Sequence, residues 1–105
     1  MSKYLDVYIT TKDEKEARKI ADILLEKRLI ACANIIPKIE SIYWWEGKLE
    51  QHGESLLIAK TKATLAEKII KEVKANHSYS IPSINFLPIL KGNKDYFKWI
   101  EEVTK

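Results

Sequence analysis

Cys32, His77 and His52 are the side chains in this 105-residue chain best suited to bind a soft or borderline metal ion. Cys32 stands in "ACAN" on a strand-like stretch. A free cysteine there serves as a small apolar group, or as a thiolate ligand suited to Cu(I). His77 lies in a loop beside Tyr79, where an imidazole ligates Cu(II) or Zn(II) or simply hydrogen-bonds. His52, near a hairpin turn, reads as solvated. No His-x-x-x-His or Cys-x-x-Cys spacing occurs, so one protomer does not close a metal site from nitrogen and sulfur ligands. No serine, cysteine or acid is visibly paired with a base, and no Gly-rich loop is present to grip a phosphate. Lys60 follows Ile58 at the two-residue spacing of a strand, so its ammonium shares a face with that apolar residue. It either snorkels to water or stands in a polar cleft.

The elements that position these residues follow from alternation and caps. Leu5, Val7 and Ile9 fall on one face of a first strand over residues 4–10. Asp13 with Glu16 reads as a capping box, opening a helix with Ala17, Ile20, Ala21 and Leu24 on one stripe. Residues 30–46 form a long strand-like stretch bulged or broken at Pro37. A turn at Gly47 follows, with a second turn expected near Gly53 before the strand "SLLIAKT". Thr64 with Glu67 suggests another capping box, for a helix ending near Asn76 and carrying Ala66, Ile69, Ile70 and Val73 on one stripe. "SINFLPIL" is a strand whose Pro88 places it at an edge or a bulge. Asn93 caps a final helix, with Tyr96, Trp99, Ile100 and Val103 expected to face inwards.

The order β-α-β-β-α-β with an extra C-terminal helix predicts an α+β, ferredoxin-like fold over residues 1–105 as a single domain. Two helices cover one face of its four-stranded sheet, and the other face is left bare. Trp44 and Trp45 are neighbours on a strand and must point to opposite sides. One of them has no core to enter, which predicts that other copies of the chain cover it.

Composition narrows the function classes. The chain is 46% hydrophobic and 31% charged, as globular domains are, and its net charge is only +3. Lysines make up 16 of its 18 basic residues and alternate with acids along the helices, which argues against a nucleic-acid-binding face. No apolar run approaches a membrane span, and the first residues alternate like a strand where a signal peptide is continuously apolar. One cysteine allows no internal disulfide. Together these predict a cytoplasmic protein without membrane or nucleic-acid partners. Abundant isoleucine, one glutamine and three glycines lean towards a thermophile's composition.

"RLIACANIIP", "YWWEGKLE", "AKT", "HSYSIP" and "LPILKGNKDYFKWI", in that order and spacing, resemble the CutA divalent-cation-tolerance family over residues 4–104. The resemblance implies a ferredoxin-like homotrimer held by long hairpins, with Trp44 and Trp45 at the interface, similar in architecture to the PII signalling proteins. It also implies a link to copper or another divalent cation, with His77 and Cys32 as the candidate ligands. Ligands proposed for some members are a cysteine at the end of the first strand and two adjacent histidines. The matching positions hold Thr10, Asn76 and His77, so one of the three survives.

The resemblance further places Glu46, Lys60, Tyr79, Tyr96 and Trp99 around an inter-subunit cleft. An aromatic wall with one lysine and one carboxylate suits a small anion, the alternative being a PII-like sensor. Packing at the core and interface is the simpler reading of the same residues. An enzyme is not expected: acylphosphatases of this size and fold need an arginine in the loop after the first strand, and "TTKDEK" offers only lysines.

Overall fold

The computed structural model describes residues 2–105; residue 1, included in the expected domain, lies outside them. The order is β1 (Tyr4–Thr11), α1 (Glu14–Glu26), β2 (Cys32–Trp45), β3 (Lys48–Lys62), a 3₁₀ turn (Ala63–Leu65), α2 (Ala66–Asn76), β4 (Ile84–Pro88) and α3 (Lys94–Val103). The strands form one antiparallel sheet in the order β2-β3-β1-β4, the ferredoxin-like arrangement expected from the alternation. Pro88 indeed lies on an edge strand, where its missing N–H costs the ladder nothing.

The core lies between the sheet and α1 and α2. Val7, Ile9, Leu57 and Ala59 meet Ala17, Ile20, Ala21, Leu24, Ile69 and Val73, all within 2% of full burial. Asp13 Oδ1 accepts from Glu16 N at 2.8 Å and starts α1 as the sequence predicts. The Thr64–Glu67 box does not form. Residues 63–65 make a 3₁₀ turn instead, and α2 begins at Ala66 with no side-chain cap. Backbone bonds of the tight turn satisfy the chain entry that a capping hydroxyl would otherwise serve.

The opposite face of the sheet is not left wholly bare. The register sets Tyr4, Asp6, Lys60, Lys62 and Cys32 on it, in cross-strand pairs. α3 lies over this end: Phe97 stacks on Tyr4 at 4.7 Å, and Tyr96 meets Cys32. Of the four residues expected to face inwards on α3, only Ile100 is buried, while Tyr96 and Trp99 each keep 38% of their surface exposed. A 10-residue helix over one end of a sheet has room for one central anchor.

The hairpin is longer than the sequence reading allowed. β3 runs without a break from Lys48, and Gly53 sits inside it opposite Glu40. No turn occurs there. β1 pairs only with residues 55–62 of β3, so residues 39–45 and 48–54 project as a two-stranded ribbon. At its tip Glu46 (φ 49°) and Gly47 (φ 77°) both take left-handed backbone, as a two-residue type I′ turn requires.

The bulge at Pro37 decides which tryptophan faces where. Ile36 pairs with Leu56 and Ile39 with Glu54, three steps on β2 against two on β3. The extra residue switches the parity of every later side chain, and Ser55 Oγ holds the bulge by donating to Pro37 O at 2.6 Å. Trp45 therefore shares the Cys32–Lys60 face with Tyr43, while Trp44 turns away with Ile42 and Leu49.

Candidate functional site

The residues singled out in the sequence come to rest in four places. Glu46 is at the hairpin tip. Cys32 and Lys60 lie in a cross-strand row with Asp6 on β1, beside Tyr96 and Trp99 of α3. His77 and Tyr79 lie in the loop after α2, against the far end of β1. Trp44 is on the outer face of the ribbon, 74% exposed. Within one protomer Glu46, Lys60, Tyr79, Tyr96 and Trp99 thus do not line a common cleft.

In the row under α3, Cys32 Sγ and Tyr96 Oη are 3.3 Å apart. Burial, then the bond to Cys32, pushes the Tyr96 phenol up to about 12. Lys60 Nζ donates to Asn34 Oδ1 at 3.3 Å. Asp6 Oδ1 is buried and has no hydrogen-bond partner among the described residues. The sequence reading passed over Asp6; it follows Tyr4 at strand spacing, which places it on the face that α3 covers.

The His77 ring is a clasp. Nδ1 accepts from Tyr79 N at 3.1 Å, which assigns the proton to Nε2, and Nε2 donates to Thr10 O at 2.8 Å. Both nitrogens are engaged, and the ring packs against Tyr79 with centroids 4.8 Å apart. Asn76 Nδ2 donates to Glu72 O at 2.9 Å. Glu16 ties the same loop to α1: Oε1 accepts from Lys12 N at 3.1 Å and Oε2 from Ser78 N at 2.8 Å. Burial alone would raise the Glu16 carboxyl, but hydrogen bonding from Ser78, side chain as well as backbone, and from Lys12 N outweighs it and holds the group below the usual glutamate range.

These contacts bear on the copper ligands implied by the resemblance. Thr10, Asn76 and His77 do not fit a metal: His77 has no free nitrogen and Asn76 is spent on its own helix. Cys32 stands in register with Lys60 and so with Asp6, which is four residues from Thr10, or about 13 Å along the strand. Among the described residues no three His, Cys, Asp or Glu side chains converge on one point as a metal ion needs. His52 lies 3.7 Å from Glu50 and is exposed, as expected of a solvated residue.

A cleft of about 460 Å³ opens where the ribbon leaves the sheet. Tyr43 and Trp45 line it from β2, Glu50, His52 and Glu54 from β3, and Tyr79 from the loop. Tyr79 Oη donates to Glu54 Oε2 at 2.6 Å. Burial, reinforced by that bond, raises the Tyr79 phenol well above its usual range. Of the cleft's residues only Tyr79 was marked in the sequence for a site of this kind. The signal for the others was present: Glu50, His52 and Glu54 alternate along one strand, opposite Tyr43 and the tryptophan that the bulge turns inwards.

A ferredoxin-like protomer with a projecting, aromatic-rich ribbon is a recognisable class of protein, and comparison with known chains gives it a family. Residues 5–103 match the family model described as CutA1 divalent ion tolerance protein. The chain belongs to that family. It is 46% identical over 99 residues to the divalent-cation tolerance protein CutA of Archaeoglobus fulgidus, covering 94% of this chain and 96% of that one. It is 41% identical over 99 residues to a chloroplastic CutA protein of rice, covering 94% of this chain but 56% of the relative. The chain thus spans about half the length of the plant relatives it matches. The solved structure of the divalent cation tolerance protein of Thermus thermophilus superposes with a TM-score of 0.95 at 43% identity, covering 97% of this chain and 99% of that one. No helix among the described residues is long and apolar enough to cross a membrane.

Proposed function

We propose that the chain works as a homotrimer in the tolerance of divalent cations, the role for which its family is named, and that it binds rather than catalyses. The observation that carries the assembly is the outer face of the ribbon. Ile42, Trp44 and Leu49 stand together there, 59%, 74% and 61% exposed, on a two-stranded element beyond the reach of α1 and α2. Such a ribbon is marginal in water alone, and covering the strip against other copies removes its apolar surface and steadies it. Trp45, 45% exposed on the other side, forms the inner edge of the same interface. Light scattering should return about 37 kDa, three times the 12.2 kDa chain. A single species of one chain's mass at micromolar concentration would overturn the assembly.

The link to divalent cations rests on family membership. Copper is the metal to try first, with Cys32 as the donor, since its thiol is a soft ligand and three-fold symmetry would gather three copies. Equilibrium dialysis against Cu(I) and Cu(II) tests this; metal retained equally by wild type and Cys32→Ser would remove Cys32 from the site. A reducing cytoplasm suits the free thiol, and we place the protein there, although relatives are named as chloroplastic or described as periplasmic. The reading as a non-enzyme is supported by the β1–α1 loop, whose one cation is Lys12, with Lys15 in the first turn of α1 and no arginine beside them. Turnover of an acyl phosphate that is lost on mutating Lys12 would refute it.

A further inference from the structure

The loop after α2 is held by a histidine that can hold it in one protonation state only. Tyr79 N donates to His77 Nδ1, and His77 Nε2 donates to Thr10 O. An imidazole plays both parts only while neutral, because an imidazolium has two N–H donors and no acceptor. A proton taken from solvent at Nδ1 sets one N–H against another, and no rotation of the ring restores an acceptor. The bond to Thr10 survives, since its donor is unchanged and the added charge strengthens it. The ring thus stays on β1, and Tyr79 is the group that must move.

Little else holds Tyr79. Its hydroxyl donates to buried Glu54, and its ring rests against that of His77. Among the described residues no backbone hydrogen bond involves residues 80–82, before β4 begins at Ile84. Ser78 is tied separately, its N–H donating to Glu16, whose carboxyl lies below the usual glutamate range and keeps its charge while an imidazole titrates. Groups of both signs face the His77 ring. From the start of α1 and the residues before it, Asp13 and Glu16 favour an added proton and Lys12, Lys15 and Lys19 oppose it. α2 contributes the neutral Ala75 and Asn76, β1 the Thr10 carbonyl, and the loop Tyr79, with Glu54 of β3 beyond it.

We propose that His77 is a pH-sensitive latch: on taking its second ring proton it releases Tyr79 N–H, Tyr79 leaves Glu54, and residues 79–83 come free while Ser78 stays fixed. The switch lies within one chain and rests on neither the trimer nor the metal reading. A proton reaches a half-buried imidazole without any cleft having to stand open in the assembly.

Nuclear magnetic resonance of the assembled, isotope-labelled protein tests this, over the span from about pH 8 to about pH 5 in which imidazoles change charge. The ring signals of His77 report its protonation. Hydrogen exchange, referred at each pH to the rate of an unstructured peptide, reports amide protection. Protection of the Tyr79 amide should fall about tenfold with the midpoint of His77, the factor for losing one hydrogen bond, while that of Ser78 holds. In His52→Gln, which leaves His77 as the chain's one histidine, the Glu54 carboxyl carbon should shift with the same midpoint. The wild-type titration decides even if the variant does not fold. A Tyr79 amide that keeps its protection as His77 gains its proton, or an equal loss at Ser78, would overturn the proposal. So would a Glu54 signal in the folded variant that ignores His77, or a His77 that takes no proton before the protein unfolds.

Discussion

Replacing Glu16 by glutamine tests how the loop that carries His77 and Tyr79 is held. The side chain is 7% exposed and links two backbone donors 66 residues apart in sequence, Lys12 N and Ser78 N. Glutamine keeps the shape but exchanges one acceptor oxygen for an NH₂ group, so one backbone N–H faces another donor. Hydrogen bonds to charged acceptors contribute about 1.5–3 kcal/mol, and a buried donor left unpaired costs a similar amount. The variant should therefore lose about 2–3 kcal/mol per chain. With a urea slope of about 1–2 kcal/mol per molar for a chain of this size, the midpoint should fall by about 1–3 M at fixed protein concentration.

The pH dependence gives an independent check. The folded-state carboxyl of Glu16 lies below its unfolded value, which is roughly 4.3. A depressed acid contributes stability that is fully present above the unfolded value and is lost as pH falls through the folded one. The glutamine side chain does not titrate, and the other carboxylates titrate in both proteins. The gap between wild type and Glu16→Gln should accordingly be constant above about pH 5 and close as the pH falls below the unfolded value. A variant as stable as wild type at pH 7, or a gap that widens on acidification, would refute the argument.

Three further outcomes follow from the geometry. Trp44→Ala removes on the order of 150 Å² of apolar surface from each subunit's contact, about 4 kcal/mol, and should shift the light-scattering mass towards the monomer at dilution, whereas Lys94→Ala should not. His77→Ala, which breaks both ring bonds, should lower the unfolding free energy by about 1–3 kcal/mol and leave Cu(II) affinity unchanged, as equilibrium dialysis would show. Gly47→Ala meets no atom within 4 Å of the added methyl, so only its positive φ opposes the change; a loss of about 1 kcal/mol in thermal unfolding is expected, and none if the turn simply rearranges.

The parts of the fold that were legible in the sequence are those that a short window determines. Alternation over Leu5, Val7 and Ile9, the spacing of Ala17, Ile20 and Leu24, and the caps at Asp13 and Asn93 each act within a few residues, and each is found as read. The bulge at Pro37 was visible because proline cannot donate to a ladder. The misreadings involve choices that distant contacts make. Gly53 has turn chemistry, but 14 residues of β2 hold it in a strand. Thr64 has cap chemistry, but the 3₁₀ turn satisfies the backbone first. Tyr96 and Trp99 keep helical spacing with Ile100, and spacing alone cannot show that α3 lies on the face opposite α1 and α2.

The candidate sites divide in the same way, and the bulge explains why. Reading β2 with one uninterrupted parity groups Cys32, Asn34 and Ile36 with Trp44; the extra residue before Ile39 moves Trp45 into that place. A single inserted residue thus separates two surfaces with different chemistry on one ribbon. The outward side carries Ile42, Trp44 and Leu49, apolar and suited to contact with like chains. The inward side carries Tyr43, Trp45, Glu50 and His52, polar and aromatic, and meets Glu54 and Tyr79 at the base. Were the bulge absent, Trp44 would turn into the cleft and Trp45 out of it, and Ile42 would replace Tyr43 opposite the carboxylates. The clasp of His77 and Glu16 then has a clear use: it fixes the loop so that Tyr79 reaches Glu54 across 25 residues of sequence. What the sequence suggests as a metal ligand is, in the folded chain, the support of a neighbouring cleft.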